Sequence, residues 1–137
     1  MFFIHFGEKF MKNLPAVIFS AIGLVVFMTG ICSGRQNPSD STLLRGRILY
    51  EKNCSGCHGD KGQGFAGPNL TDKFWIHGGG PKNITASISE GVPGKGMITW
   101  KDILSPAEIQ MVMKYVRSLQ GTNPPKAKAA EGELTRD

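Results

Sequence analysis

The residues with the most chemical content in this 137-residue chain stand together: Cys54, Ser55, Gly56, Cys57 and His58. Two thiols three positions apart, followed at once by an imidazole, admit three chemistries. A thiol–disulfide pair of the C-x-x-C kind belongs after a strand in a βαβ setting, and here a helical pattern precedes the motif. A zinc knuckle needs a further Cys or His pair at regular spacing, and after His58 the chain has no cysteine and one histidine, His77. Covalent haem attachment has a physical reason for this spacing. Two cysteines three apart reach the two vinyl groups of one porphyrin as thioethers, and the next residue lies under the iron as a neutral imidazole ligand. The sequence therefore predicts one haem c, bound through Cys54 and Cys57, with His58 as one axial ligand.

The second axial ligand must come from further along. Met97, Met111, Met113 and His77 are the candidates. Met113 falls on the apolar stripe of a predicted helix and Met111 beside it, positions that read as helix packing. Met97 lies between Gly94-Lys95-Gly96 and Ile98-Thr99-Trp100, in a segment that reads as a flexible loop able to lay a thioether sulfur on iron. His77, followed by three glycines, is the rival. A His/His pair would give a lower reduction potential than His/Met.

Short helices must position these groups. Residues 42–53 read as a helix, with Leu43, Leu44, Ile48, Leu49 and Tyr50 supplying apolar faces and Asp40 or Ser41 as cap. Gly46 inside it costs about 1 kcal/mol against alanine, which suggests a close neighbour. Residues 54–67 hold five glycines and read as loop. Short helices are predicted over 71–76 and 83–90, with loop over 94–99. The clearest helix is 105–119: Ser105, Pro106 and Glu108 form a capping box with proline at the first position, and Ile109, Val112, Met113, Val116 and Leu119 make one stripe. No strand pattern stands out. The tail, 121–137, contains Pro124-Pro125 and then mostly Lys, Ala and Glu, and its composition predicts disorder.

The amino-terminal 33 residues read as a targeting segment. Lys9 and Lys12 precede a stretch from 14 to 31 that holds no charge, and a polar linker over 34–41 follows. Basic flank, apolar run and small residues are the order of a secretory signal. Eighteen residues also just suffice for a membrane span, and Cys32 admits a lipid anchor. Met11 offers a second start. Each reading exports the rest of the chain, to the periplasm or the outer face of the cytoplasmic membrane, with membrane association possible through 14–31. The net charge of +5 is scattered, with no basic run to track a nucleic acid. Three cysteines exclude a two-disulfide framework and a four-cysteine zinc site.

The stretch 46–119 resembles a class I cytochrome c, most closely the haem domains of the diheme subunit (subunit III) of cbb3-type cytochrome c oxidases. The matching pieces are CSGCHGDKGQG at 54–64, GPNLTD at 67–72, WIHGG at 75–79, ISEG at 88–91, GMITW at 96–100 and LSPAEI at 104–109. The resemblance implies a small all-α fold over 42–120, wrapped round one covalent haem. It implies Cys54 and Cys57 as thioether sites, His58 as proximal ligand and Met97 as distal ligand. It also implies that the Pro68 carbonyl accepts a hydrogen bond from the second ring nitrogen of His58, and that Gly46 and Tyr50 cross the last helix near Val112 and Tyr115. Two positions depart from the pattern: Ile98 replaces a proline after the methionine, and His77 stands where an aromatic is expected. The family's subunit has two such domains; this chain has one C-x-x-C-H motif.

The function expected is single-electron transfer rather than catalysis, between membrane-bound redox partners such as a terminal oxidase. Trp75 and Trp100 are expected in the wall of the haem pocket. Lys61, Lys73, Lys82, Lys95 and Lys101 are candidates for a docking face. The alternatives are a haem subunit of a larger oxidase or dehydrogenase complex, or a ligand-binding or peroxidatic haem protein if Met97 leaves the iron open.

Overall fold

The computed structural model describes residues 38–135. The expected targeting segment, with Cys32 in it, and the first half of the linker, 34–37, lie outside those residues. Among the described residues four α-helices dominate: α1 (Pro38–Asn53), α2 (Ser55–His58), α3 (Pro81–Glu90) and α4 (Pro106–Ser118). Two short strands, β1 (Phe74–Trp75) and β2 (Glu133–Leu134), pair antiparallel with Phe74 opposite Leu134 and Trp75 opposite Glu133.

The frame is the crossing of α1 over α4. Gly46 is buried at the crossing, and a Cβ there would run into the main-chain carbonyl of Met111 and come within 3.0 Å of Tyr115 Cβ. Only a glycine lets the two backbones approach this closely. One turn on, the Tyr50 and Tyr115 rings lie 5.3 Å apart, tilted by 57°. Tyr50 is fully buried, and its hydroxyl donates to the Gly59 carbonyl at 2.7 Å. Burial holds that phenol far above the usual tyrosine range. The core is completed by Ile84 and Ile88 of α3, Leu104, and Ile109, Val112, Met113, Val116 and Leu119 at the carboxyl end.

The last helix follows its sequence pattern. Ser105 Oγ accepts from the Glu108 main-chain N–H at 3.3 Å, and the Glu108 carboxylate accepts from the Ser105 N–H at 2.8 Å. The Ser105 hydroxyl also donates to that carboxylate, at 2.7 Å, and together with the Ser105 N–H it holds the Glu108 carboxyl below its ordinary range.

Five expectations are corrected. Helix α1 begins at Pro38 rather than 42, because proline is pre-shaped for a first helical turn. Its Leu44 and Ile48 are exposed rather than in the core. The C-x-x-C-H segment is helical at 55–58, not loop. Residues 71–76 form no helix: Asp72 Oδ1 accepts from the Phe74 N–H at 2.8 Å, a local turn that competes with helical pairing, and Phe74 and Trp75 go into β1.

The fifth correction is the tail, which folds back over the domain. Gly121 N–H donates to the Thr71 carbonyl (2.6 Å) and Lys128 N–H to the Gln63 carbonyl (2.8 Å); β2 then pairs with β1, and just beyond it Thr135 N–H donates to the Lys73 carbonyl (2.9 Å). These are main-chain bonds, available to any residue with an N–H. A lysine- and alanine-rich composition therefore does not prevent them.

Candidate functional site

Helix α2 is a single turn that brings the three chemical side chains together. The N–H groups of Cys57 and His58 both donate to the Cys54 carbonyl, at 3.1 and 3.0 Å. Cys54 is half-buried and packs on the core, while Cys57 is exposed. Burial pushes the Cys54 thiol up to about 11, with Cys57 adding to the shift. This environment disfavours a thiolate, hence a zinc ligand or a redox nucleophile, and suits an uncharged thioether.

His58 is half-buried, and its Nδ1 lies 2.9 Å from the Pro68 carbonyl oxygen. A carbonyl can only accept, so Nδ1 carries the proton and Nε2 keeps its lone pair. Burial holds the imidazole below its ordinary pKa, the Pro68 bond opposes this and the charge of Lys128 adds to it. The net result is a neutral ring at pH 7 with one nitrogen free to ligate. Gly67 packs flat on that ring: a Cβ there would sit 2.7 Å from His58 Cε1.

Met97 lies in a tied turn, not the flexible loop its neighbours suggest. Val92 and Met97 form an antiparallel bridge, with Val92 N–H to Met97 O at 2.8 Å and Met97 N–H to Val92 O at 3.3 Å. A 3-10 turn over Pro93–Lys95 closes it, ended by Gly96 in the left-handed conformation. The following segment is fastened to the end of α3 by Thr99 Oγ1 to Ser89 O at 2.7 Å and Lys101 Nζ to Glu90 Oε2 at 2.6 Å. Ile98, in place of a proline, is exposed without releasing the turn. The Met97 side chain is half-buried against the core.

The other candidates sit elsewhere. Met113 is buried in the core and Met111 half-buried on the same helix. His77 is exposed, with its carbonyl accepting from Asn83 Nδ2 at 3.0 Å. Lys61, Lys73, Lys82, Lys95 and Lys101 are all exposed, and Lys101 is paired with Glu90. Trp75 and Trp100 are half-buried against the core. Trp75 Nε1 is buried with no hydrogen-bond partner among the described residues. Such an orphan donor is costly unless something accepts from it.

These residues fit a haem. Two thiols are set on one turn, an adjacent neutral imidazole has its second nitrogen fixed, a thioether stands on a separate tied turn, and a buried indole N–H lacks an acceptor that a porphyrin carboxylate would supply. Sequence reasoning missed the hub at Asn69. Its Oδ1 accepts from both the N–H and the hydroxyl of Thr71, at 2.9 and 2.7 Å, and its Nδ2 donates to the Lys128 carbonyl at 3.2 Å. Asn69 two residues before Thr71 is an Asx-turn signal. The partner at 128 has none.

Comparison with known proteins gives a consistent picture. Residues 41–116 match the family model for cytochrome c oxidase, cbb3-type, subunit III. The cbb3-type cytochrome c oxidase subunit FixP of Bradyrhizobium diazoefficiens is 39% identical over 92 residues, 65% of this chain and 31% of that protein. Subunit CcoP of Rhodobacter capsulatus is 33% identical over 128 residues, 85% of this chain and 40% of its own length. The chain thus spans about a third of the length of the curated relatives it matches. Among solved structures, cytochrome cL from the methylotroph Methylophaga aminisulfidivorans superposes with a TM-score of 0.56 at 26% identity, covering 73% of this chain and 76% of that one.

Proposed function

The chain belongs to the cbb3-type cytochrome c oxidase subunit III family and has the class I cytochrome c fold, and from that premise we propose that it is a monohaem c-type cytochrome passing single electrons to or from a membrane-bound redox complex such as a terminal oxidase. The observation that carries the reading is the α2 turn, which holds Cys54, Cys57 and a neutral His58 together, with Nδ1 of His58 fixed on Pro68. A haem bound there supplies a reversible one-electron couple.

The chain's own residues do the rest. Cys54 and Cys57 would hold the group by thioethers. His58 would offer Nε2, in an orientation fixed by Pro68, and Met97 would offer its thioether sulfur. With both ligands supplied by the protein, no substrate would bond to the metal, so the role we propose is carriage of electrons and not catalysis. His58 and Met97 are both partly buried, which would limit water at the site and favour the less charged state of the couple.

Residues 1–33 are proposed to export the domain, as a cleaved signal or as an anchor through 14–31, placing it in the periplasm or on the outer face of the cytoplasmic membrane. Among the described residues no helix is long and apolar enough to cross a membrane. Service within a larger oxidase complex is a second reading, favoured by the relatives' names as oxidase subunits.

Attachment is the decisive test. Thioethers survive denaturation, so wild-type protein should keep its haem on a denaturing gel and stain for peroxidase activity, and its alkaline pyridine spectrum should report two thioethers. Cys54→Ala or Cys57→Ala should shift that spectrum to one thioether. The double variant should lose the stain entirely, and Cys32→Ala should leave it unchanged. Wild-type protein that releases all its haem on the gel would end the c-type reading.

A further inference from the structure

We propose that Lys128, in the returning tail, is a positioning residue for the proximal histidine: it grips the chain on both sides of Pro68 and so sets how the Pro68 carbonyl meets His58. The inference rests on the haem reading above, but its geometry is independent of it. Pro68 accepts from His58 Nδ1 at 2.9 Å. On one side of Pro68, the Gly67 carbonyl accepts from Lys128 Nζ at 3.5 Å, and Gly67 is also the residue on which the His58 ring packs. On the other side, Asn69 Nδ2 donates to the Lys128 carbonyl at 3.2 Å. One tail residue therefore holds both neighbours of the carbonyl that orients the imidazole.

Lys128 is itself fixed. Its N–H donates to the Gln63 carbonyl at 2.8 Å, and Nζ is paired with Glu131 Oε1 at 2.7 Å. Asn69 is buried and is braced by Thr71, which is 1% exposed. The tail then continues through Glu133, opposite Trp75 in the β-pair. The same strap thus fastens the proximal loop and the segment bearing the orphan indole donor. Partners of a ligating histidine tune its orientation and basicity, and their loss changes the properties of the metal. Lys128 acts one step further out, through Gly67 and Asn69.

The experiment compares full-length holoprotein of the wild type, Lys128→Met and Lys128→Arg. Three quantities are read on each: reduction potential, the hyperfine-shifted His58 ring-proton resonances of the ferric form, and the thermal midpoint. Lys128→Met should keep its covalent haem, move the His58 resonances and change the redox equilibrium constant by about threefold. Lys128→Arg should restore both. A Lys128→Met protein with a lower melting point but wild-type potential and resonances makes the strap a brace and overturns the proposal. A potential shift with unmoved His58 resonances reduces Lys128 to a nearby charge and overturns it equally. Wild-type protein without covalent haem on the denaturing gel would instead overturn the haem reading itself, so the two failures are distinct.

Discussion

Met97→Ala protein should lose the weak near-infrared band of a thioether on ferric iron, bind carbon monoxide quickly and show a lower reduction potential. Met97 stands on a turn closed by its own bridge to Val92 and fastened behind by Thr99 and Lys101. Its side chain is held against the core rather than waving in solvent. Alanine leaves that turn intact and removes only the sulfur. Methionine raises the potential of a haem relative to a second imidazole, and an emptied position admits small ligands. The comparison variants carry the decision. Met113→Ala empties a buried core site and should cost about 2–5 kcal/mol of stability; Met111→Ala should cost less, since it is half-buried. Both should keep the band. Persistence of the band in Met97→Ala would refute the assignment, and loss of the low-spin spectrum in His77→Ala would establish the histidine rival in its place.

Gly46→Leu should be strongly destabilising although it lies outside the haem site. A Cβ at this position has nowhere to go, because the obstacle is the Met111 main chain and not the end of a flexible side chain. Relief requires α1 and α4 to separate, which unpacks Tyr50 from Tyr115 and opens the core around Val112. Overpacking costs about 1–3 kcal/mol and sometimes more; with backbone as the obstacle the upper end is expected. For a domain of this size that is a fall of about 10–20 °C in melting temperature. Gly56→Ala is the control, since no atom lies within 4 Å of its added Cβ. It should leave the melting temperature nearly unchanged or slightly raised. Equal losses in the two variants would refute the close-crossing argument.

Legibility in the sequence followed the reach of the interactions. The last helix could be read because its signals are local: Ser105, Pro106 and Glu108 lie within one turn, and Ile109, Val112, Met113 and Val116 repeat at helical spacing. The C-x-x-C-H chemistry could be read because attachment geometry is itself a spacing. Gly46 could be flagged as odd, but its partner on α4 came only from a family resemblance. The 71–76 segment misled because its apolar residues suit a helix, while the deciding bond is one side-chain oxygen of Asp72 on the Phe74 N–H. The tail was illegible for a deeper reason. Its contacts with Gln63, Thr71 and Lys73 are main-chain bonds, which leave no trace in residue type, and its composition is that of a solvated linker.

The position of that strap in the chain also bears on the order of events in folding. Asn69 and Lys128 are separated by 59 residues, whereas the bonds that shape α2 and the loop after it span ten residues or fewer. Loop closure costs more as the separation grows, and long-range contacts are made late. During synthesis the cysteine motif emerges long before residue 128 does. The strap therefore belongs on the unfolding side of the barrier: contacts absent from the transition state slow escape from the native state without hastening arrival. Alongside its hold on both neighbours of Pro68, it contributes persistence: a longer lifetime for the native arrangement of the proximal loop once that arrangement has formed.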